Sequence, residues 1–126
     1  MYITIDESDR RPIYQQIADE IKALMARGEL QEGSSLPPVR QVAADLGVNL
    51  NTIAFAYRHL QKEGLIRIKH GSGAVVISRV LSETTEEQLR KLVRTALTHL
   101  ALAGLKRGEI RALVNQELNT LFSEQG

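Results

Sequence analysis

The 126-residue chain contains no cysteine. It therefore has neither a disulfide framework nor thiolate metal ligands. No apolar run approaches the ~20 residues that a membrane-spanning helix needs. The opening residues Met1–Asp6 lack the charged and apolar regions of a secretory leader, so a cytoplasmic, non-redox protein is expected. The length is too short for a (β/α)₈ barrel or a complete dinucleotide-binding enzyme. Catalytic constellations are missing too. His59, His70 and His99 are far apart, and none stands in the H-E-x-x-H spacing of a metal site. Gly71-Ser72-Gly73 lacks the remainder of a phosphate-binding loop. Glu86 and Glu87 are neighbours that point in different directions on a helix, so they suit its positive N-terminal end better than paired acid–base work. No enzymatic activity, metal or cofactor is expected.

What is there is an ordinary globular composition, 43% hydrophobic and 25% charged, which excludes a disordered chain. The net charge of +1 hides an uneven distribution. Residues 1–39 sum to −3, residues 40–79 to +4 and residues 80–126 to zero. A basic middle segment in a neutral protein points to a localised anionic partner, against the plainer reading of a solvated mixed surface.

Tyr2-Ile3-Thr4-Ile5 is β-branched and alternating and predicts a short strand. Pro12 stands where a first helical turn tolerates proline. Ile13, Ile17, Ile21, Leu24 and Met25 then recur at helical spacing up to Gly28. Glu29–Ser35 reads as a loop. Pro38 opens a second helix with the stripe Val39, Val42, Ala43 and Leu46, and Gly47 is its stop. Only Val48 separates that stop from Asn49, an N-cap residue. A third helix follows to about Glu63, with Ile53, Ala56, Tyr57 and Leu60 inward. Two short helices this close form a helix-turn-helix.

The period then changes from helical to alternating. Ile66-Arg67-Ile68-Lys69 alternates apolar and basic residues, His70-Gly71-Ser72-Gly73 supplies a turn, and Ala74–Ile77 is a second β-branched run. This predicts a β-hairpin, with Ile66 and Ile68 inward and Arg67 and Lys69 outward. A hairpin directly after a helix-turn-helix is the arrangement of a winged helix. The expected fold is therefore mostly α with a small β-wing. A winged helix-turn-helix domain at 1–78 precedes a C-terminal two-helix region at 79–126.

Thr84 or Thr85 caps the first tail helix, and Thr85–Gln88 resembles a capping box. Leu89, Leu92, Val93, Ala96, Leu97 and Leu100 follow at helical spacing. After Gly104 a last helix carries Ile110, Leu113, Val114, Leu118, Leu121 and Phe122. Its start, Lys106-Arg107-Gly108, is a poor cap. One small winged helix cannot cover both stripes, and a lone two-helix hairpin is marginal. A second copy would complete a four-helix arrangement, so these twelve positions are the expected homodimer interface. The alternative is that the tail packs back on its own winged helix.

The chemistry fits double-stranded DNA. A helix entering the major groove needs small polar side chains at its N-terminal end. Asn49-Leu50-Asn51-Thr52 is such an end. Asparagine both donates and accepts, which suits adenine, and threonine offers a hydroxyl and a methyl. Asn49 alone is equally well explained as a cap. Arg40 stands near the start of the preceding helix, within reach of backbone phosphate or a guanine edge. Arg58 lies two turns along the third helix and suits phosphate better than a base. Arg67 and Lys69 add outward charge. Lys69, His70, Gly71 and Ser72 make the wing tip, where glycine lets backbone approach closely and histidine suits a narrow minor groove; the plain alternative is an ordinary hairpin loop. Phe55 falls off the inward stripe; packing against the first helix and contacting a thymine methyl are both open. Tyr57 is expected to close the core with its ring and place its hydroxyl at the surface.

Five ordered blocks make the chain resemble the GntR family of bacterial transcription regulators. They are Pro12–Ile17, Gly33–Arg40, Leu46–Thr52, Leu60–Ile66 and His70–Gly73. The short tail resembles the YtrA subfamily, whose tail serves dimerisation. The resemblance implies a homodimer that binds an inverted-repeat operator, usually as a repressor. It places DNA contacts on Arg40, on Asn49 to Thr52, and on His70 and Gly71. Many relatives carry arginine where this chain has Leu50 and Ala54, so their base preference does not transfer. About 46 residues follow the hairpin, so the usual metabolite-binding domain is expected to be absent and any effector would use the tail. A competing reading makes the winged helix a scaffold and the protein an interaction module without specific DNA binding.

Overall fold

The computed structural model describes residues 3–70, 73–81 and 83–122. It divides into two compact units, Met1–Ser82 and Glu83–Gly126.

The first unit begins with α1, Ile13–Ala26. Pro12 sits at its N-cap, where its missing N–H costs nothing. Ile17, Ile21, Leu24 and Met25 turn one face fully inward. Gln16 is a polar side chain buried in this core, and both ends of its carboxamide are satisfied. Its oxygen accepts from the Asp6 N–H at 3.0 Å, and its amide donates to the Arg11 carbonyl at 3.1 Å. The pair of bonds holds the segment before α1 across the helix start.

Helices α2, Val39–Leu46, and α3, Leu50–Lys62, form the helix-turn-helix. Gly47 ends α2 at φ 68°, a left-handed geometry that glycine adopts without a Cβ penalty. Asn49 caps α3, its side chain accepting the Asn51 N–H at 2.7 Å. Ile53, Ala56, Tyr57 and Leu60 face the core, as their i, i+3, i+4, i+7 spacing requires. The Lys22–Glu63 pair at 2.8 Å ties α1 to the end of α3.

Strands β2, Ile66–Ile68, and β3, Ala74–Val76, make the expected antiparallel hairpin, and a third strand joins it. This is β1, Ser35–Leu36, giving the order β1-β3-β2. The predicted loop over Glu29–Ser35 therefore gives up its last residue to a strand. Two residues are too few to show periodicity. They become a strand because β3 offers a free edge, with Ser35 opposite Val75 and Leu36 opposite Ala74. The Val76 N–H donates to the Ser34 carbonyl at 2.8 Å, extending that pairing. The strand expected over Tyr2–Ile5 is not formed by Ile3–Ile5, and Tyr2 lies outside the described residues. With β1 on one edge of β3 and β2 on the other, the alternating pattern has no partner there; Ile3 is simply buried in the core.

The second unit contains α4, Glu86–Leu102, and α5, Arg107–Leu121. Thr85 and Gln88 form the predicted capping box, with bonds of 3.2 and 2.9 Å. The start of α5 is better closed than its sequence suggests, because the Glu109 carboxylate accepts the Lys106 N–H at 2.8 Å.

Candidate nucleic-acid interface

The exposed face of α3 is set by what the core takes. With Ile53, Ala56, Tyr57 and Leu60 inside, Asn51, Phe55, Arg58, His59, Gln61 and Lys62 are left exposed. Asn49 is exposed, but its carboxamide oxygen is committed to the cap, leaving its amide as a donor. Asn51 is exposed, and Thr52 is half-buried beside it. Leu50 differs from its neighbours: it is half-buried and packs against the core hydrophobics. Its apolar side chain follows the inward stripe rather than the polar face with which the sequence groups it.

Arg40 is exposed in the first turn of α2. Arg67 and Lys69 are exposed on the wing, opposite in pleat to buried Ile66 and half-buried Ile68, and His70 is exposed in the turn that follows. Register places Ser35, Val75 and Arg67 in one row across the outer face of the sheet. Gly71 and Ser72, also expected in the wing tip, lie outside the described residues. The ion pairs among the described residues use none of Arg40, Arg58, Arg67 and Lys69. These four guanidinium and ammonium groups are accordingly available to an anion.

Two open depressions flank the outer side of α3. One, of about 430 Å³, is lined by Val39, Ala54, Tyr57, Arg58, Gln61, Ile68 and His70 and runs between α3 and the wing. The other, of about 340 Å³, is lined by Tyr14, Asn51, Thr52, Phe55 and Arg58. Arg58 borders both.

Several residues that position this face were not evident from sequence. The Gln61 carboxamide oxygen accepts the Ile68 N–H at 2.8 Å, joining α3 to the wing. The Tyr57 side chain is fully buried, and its hydroxyl donates to the Pro37 carbonyl at 2.7 Å. This corrects the expectation of a surface hydroxyl. The ring reaches across to the segment that starts α2, and the carbonyl there substitutes for water. Burial pushes the Tyr57 hydroxyl above its ordinary pKa. The Lys69 N–H donates to the Gly73 carbonyl at 2.7 Å, which closes the wing turn.

Residues 13–76 match the family described as bacterial regulatory proteins, gntR family. The chain belongs to the GntR family. It is a helix-turn-helix DNA-binding transcription regulator, and this is a family of regulators rather than of enzymes. Among GntR relatives, the chain is 34% identical over 98 residues to the HTH-type transcriptional repressor YtrA of Bacillus subtilis, covering 72% of this chain and 75% of that one. The structure of YtrA from Sulfolobus acidocaldarius, a GntR-family transcription factor, is 42% identical. It superposes with a TM-score of 0.61 over 76% of this chain and 97% of that one. A Listeria monocytogenes structure described as a transcriptional antiterminator gives a TM-score of 0.86 at 26% identity, covering 100% of this chain and 96% of that one. The winged helix-turn-helix with a two-helix tail is thus an architecture that this GntR chain shares with solved proteins along its whole length. Among the described residues no helix is long and apolar enough to cross a membrane.

Proposed function

We propose that the protein is a homodimeric repressor that reads an inverted-repeat operator with the start of α3 and the wing. The observation that carries the reading is the exposure of Asn51 at the N-terminal end of α3, beside a depression it shares with Arg58, together with exposed Arg40, Arg67 and Lys69 that form no ion pair among the described residues. In this reading Asn51, Thr52 and the free amide of Asn49 meet base edges in the major groove. Arg40, Arg58, Arg67 and Lys69 neutralise phosphates, and His70 with the wing turn approaches the minor groove. Each phosphate contact releases counterions, so affinity falls steeply with salt. A protein with this target works in the cytoplasm.

The homodimer rests on the tail. Leu89, Leu92, Val93, Ala96, Leu97, Leu113, Val114, Leu118 and Phe122 are exposed, while Leu100, Ile110 and Leu121 are half-buried. Neither α4 nor α5 contains a buried residue. Two apolar stripes left open mark an association surface, and a second copy of the hairpin completes a four-helix core. Twofold symmetry then presents two α3 helices to half-sites about one DNA turn apart. Repression follows the activity named for the Bacillus subtilis relative.

Selection from a random DNA pool tests the reading, followed by mobility-shift titration of the recovered site against random duplex. An enriched inverted repeat bound at least ~10³-fold more tightly than random sequence supports it. Binding to neither duplex, with no retention on heparin, overturns it in favour of a protein-interaction module. Transcription from a promoter carrying the site, with and without the protein, decides the sign of regulation.

A further inference from the structure

Phe55 is 41% exposed, one helical turn beyond Asn51 on the same face of α3. It is nevertheless fixed in place. Its ring stands edge-on to Tyr14, with centroids 4.6 Å apart and planes at 72°. It meets His59 edge-on at 5.1 Å, and the guanidinium carbon of Arg58 lies 5.8 Å from its centroid. Tyr14 is half-buried and packed against the core, so the start of α1 braces the ring. Of the two sequence alternatives for Phe55, packing against α1 is present, and the rest of the ring faces the depression that Asn51, Thr52 and Arg58 also line.

We propose that Phe55 is a specificity-determining residue that reads the C5 methyl of a thymine next to the base pair met by Asn51. The proposal rests on the DNA-reading assignment above. The thymine methyl is the apolar group that the base edges display in the major groove, and phenylalanine is among the side chains that meet it. One helical turn advances about 5.4 Å, roughly one to two base-pair steps, so Phe55 stands over a pair adjacent to that of Asn51. The Tyr14 brace means that little rotamer freedom is lost on binding. Discrimination is twofold. A methyl gains contact with the ring, whereas cytosine carries only hydrogen at C5 and sets its N4 amine, in place of the thymine O4, beside a side chain that cannot accept a hydrogen bond.

The test is a thymine-to-uracil scan, which removes only the methyl, across the operator recovered from the random pool. One thymine per half-site should respond, with uracil weakening binding of the unaltered protein roughly fourfold. The Phe55→Ala protein should bind the thymine and uracil versions of that position equally. Its melting curve checks that it is folded, and the scan on the unaltered protein decides the matter should it not be. A flat scan, or equal uracil sensitivity in Phe55→Ala, overturns this inference while leaving the DNA-reading assignment standing. A pool that yields no enriched site overturns both.

Discussion

The Gln61 side chain on α3 accepts the backbone N–H of Ile68 on β2, so this helix and the wing are joined by a 2.8 Å bond. Both residues line the depression that Arg58 and His70 also border. The bond is solvent-accessible, and its loss costs stability only about 0.5–1.5 kcal/mol. Its larger effect is on geometry. In Gln61→Ala the wing is no longer registered against α3, and operator affinity falls several-fold while the melting temperature falls by roughly 2–10 °C. A mobility-shift titration beside a thermal melt checks this; unchanged affinity would show that the bond does not set the wing.

Gly73 is a crowded backbone position of the wing. Its φ is +85°, and a Cβ there would stand 2.5 Å from the Leu36 carbonyl oxygen and 3.2 Å from the backbone of Pro37 and Pro38. The obstacle is backbone rather than a flexible side chain, so relief requires β1 and β3 to part. Gly73→Ala is expected to cost roughly 2 kcal/mol or more. Gly33 has φ +91° but open space around the added carbon, so Gly33→Ala carries only the conformational penalty, about 1 kcal/mol. Denaturant titration of both variants gives the comparison; equal losses would remove the steric account.

These contacts show which parts of the fold were legible in the chain. The helices were visible because Ile17, Ile21 and Leu24, or Ile53, Ala56, Tyr57 and Leu60, repeat at the helical period, and Gly47 and Thr85 carry local stop and start chemistry. Strand β1 was not visible, because two residues carry no period and the pairing depends on an edge about forty residues away. The Gln61–Ile68 and Tyr57–Pro37 bonds were hidden for the same reason: each joins a helix to a loop or strand whose position only the assembled core defines. The half-burial of Leu50 against the core hydrophobics follows from its own apolar side chain, which its polar neighbours in the chain conceal.

Tyr57 gives a pH dependence whose sign is fixed. Burial raises its pKa above the ordinary value of 10.0. The unfolded chain therefore releases the phenolic proton near pH 10 while the folded chain retains it. The contribution is fully present below pH 10 and is lost as pH rises above it, at up to about 1.4 kcal/mol per pH unit. Tyr57→Phe removes this loss, and at neutral pH it costs about 1 kcal/mol through the unpaired Pro37 carbonyl. Melting curves at pH 8, 10 and 11 for both proteins should converge at the alkaline end; parallel curves would contradict the burial of the hydroxyl.

In the proposed DNA-reading assignment, Asn51 and Arg58 separate readout from attraction. Asn51→Ala should weaken operator binding by about 1–3 kcal/mol and random-duplex binding far less. Arg58→Ala should weaken both alike and lower the salt slope by about one. Titrations at several salt concentrations on both duplexes measure each effect. Uniform loss for Asn51→Ala would reassign it to the helix terminus alone.

The tail supplies the last expectation. Leu92 and Val93 are 69% and 58% exposed on α4, and Leu118 is 45% exposed on α5. Such side chains contribute roughly 1.5–3 kcal/mol each when fully buried, and neither helix buries a residue in the isolated chain. Covering them with a second copy turns the second half-site contact into an intramolecular event, which raises affinity far beyond one winged helix. Val93→Glu would place a charge in the core of the proposed dimer. It should convert a dimer to a monomer by sedimentation, leave residues 13–76 folded by circular dichroism, and abolish tight binding to the full inverted repeat. Binding to an isolated half-site should be nearly unchanged, because the reading surface lies in the other unit. An unaltered protein that sediments as a monomer while binding the full site tightly would remove the dimer from the account.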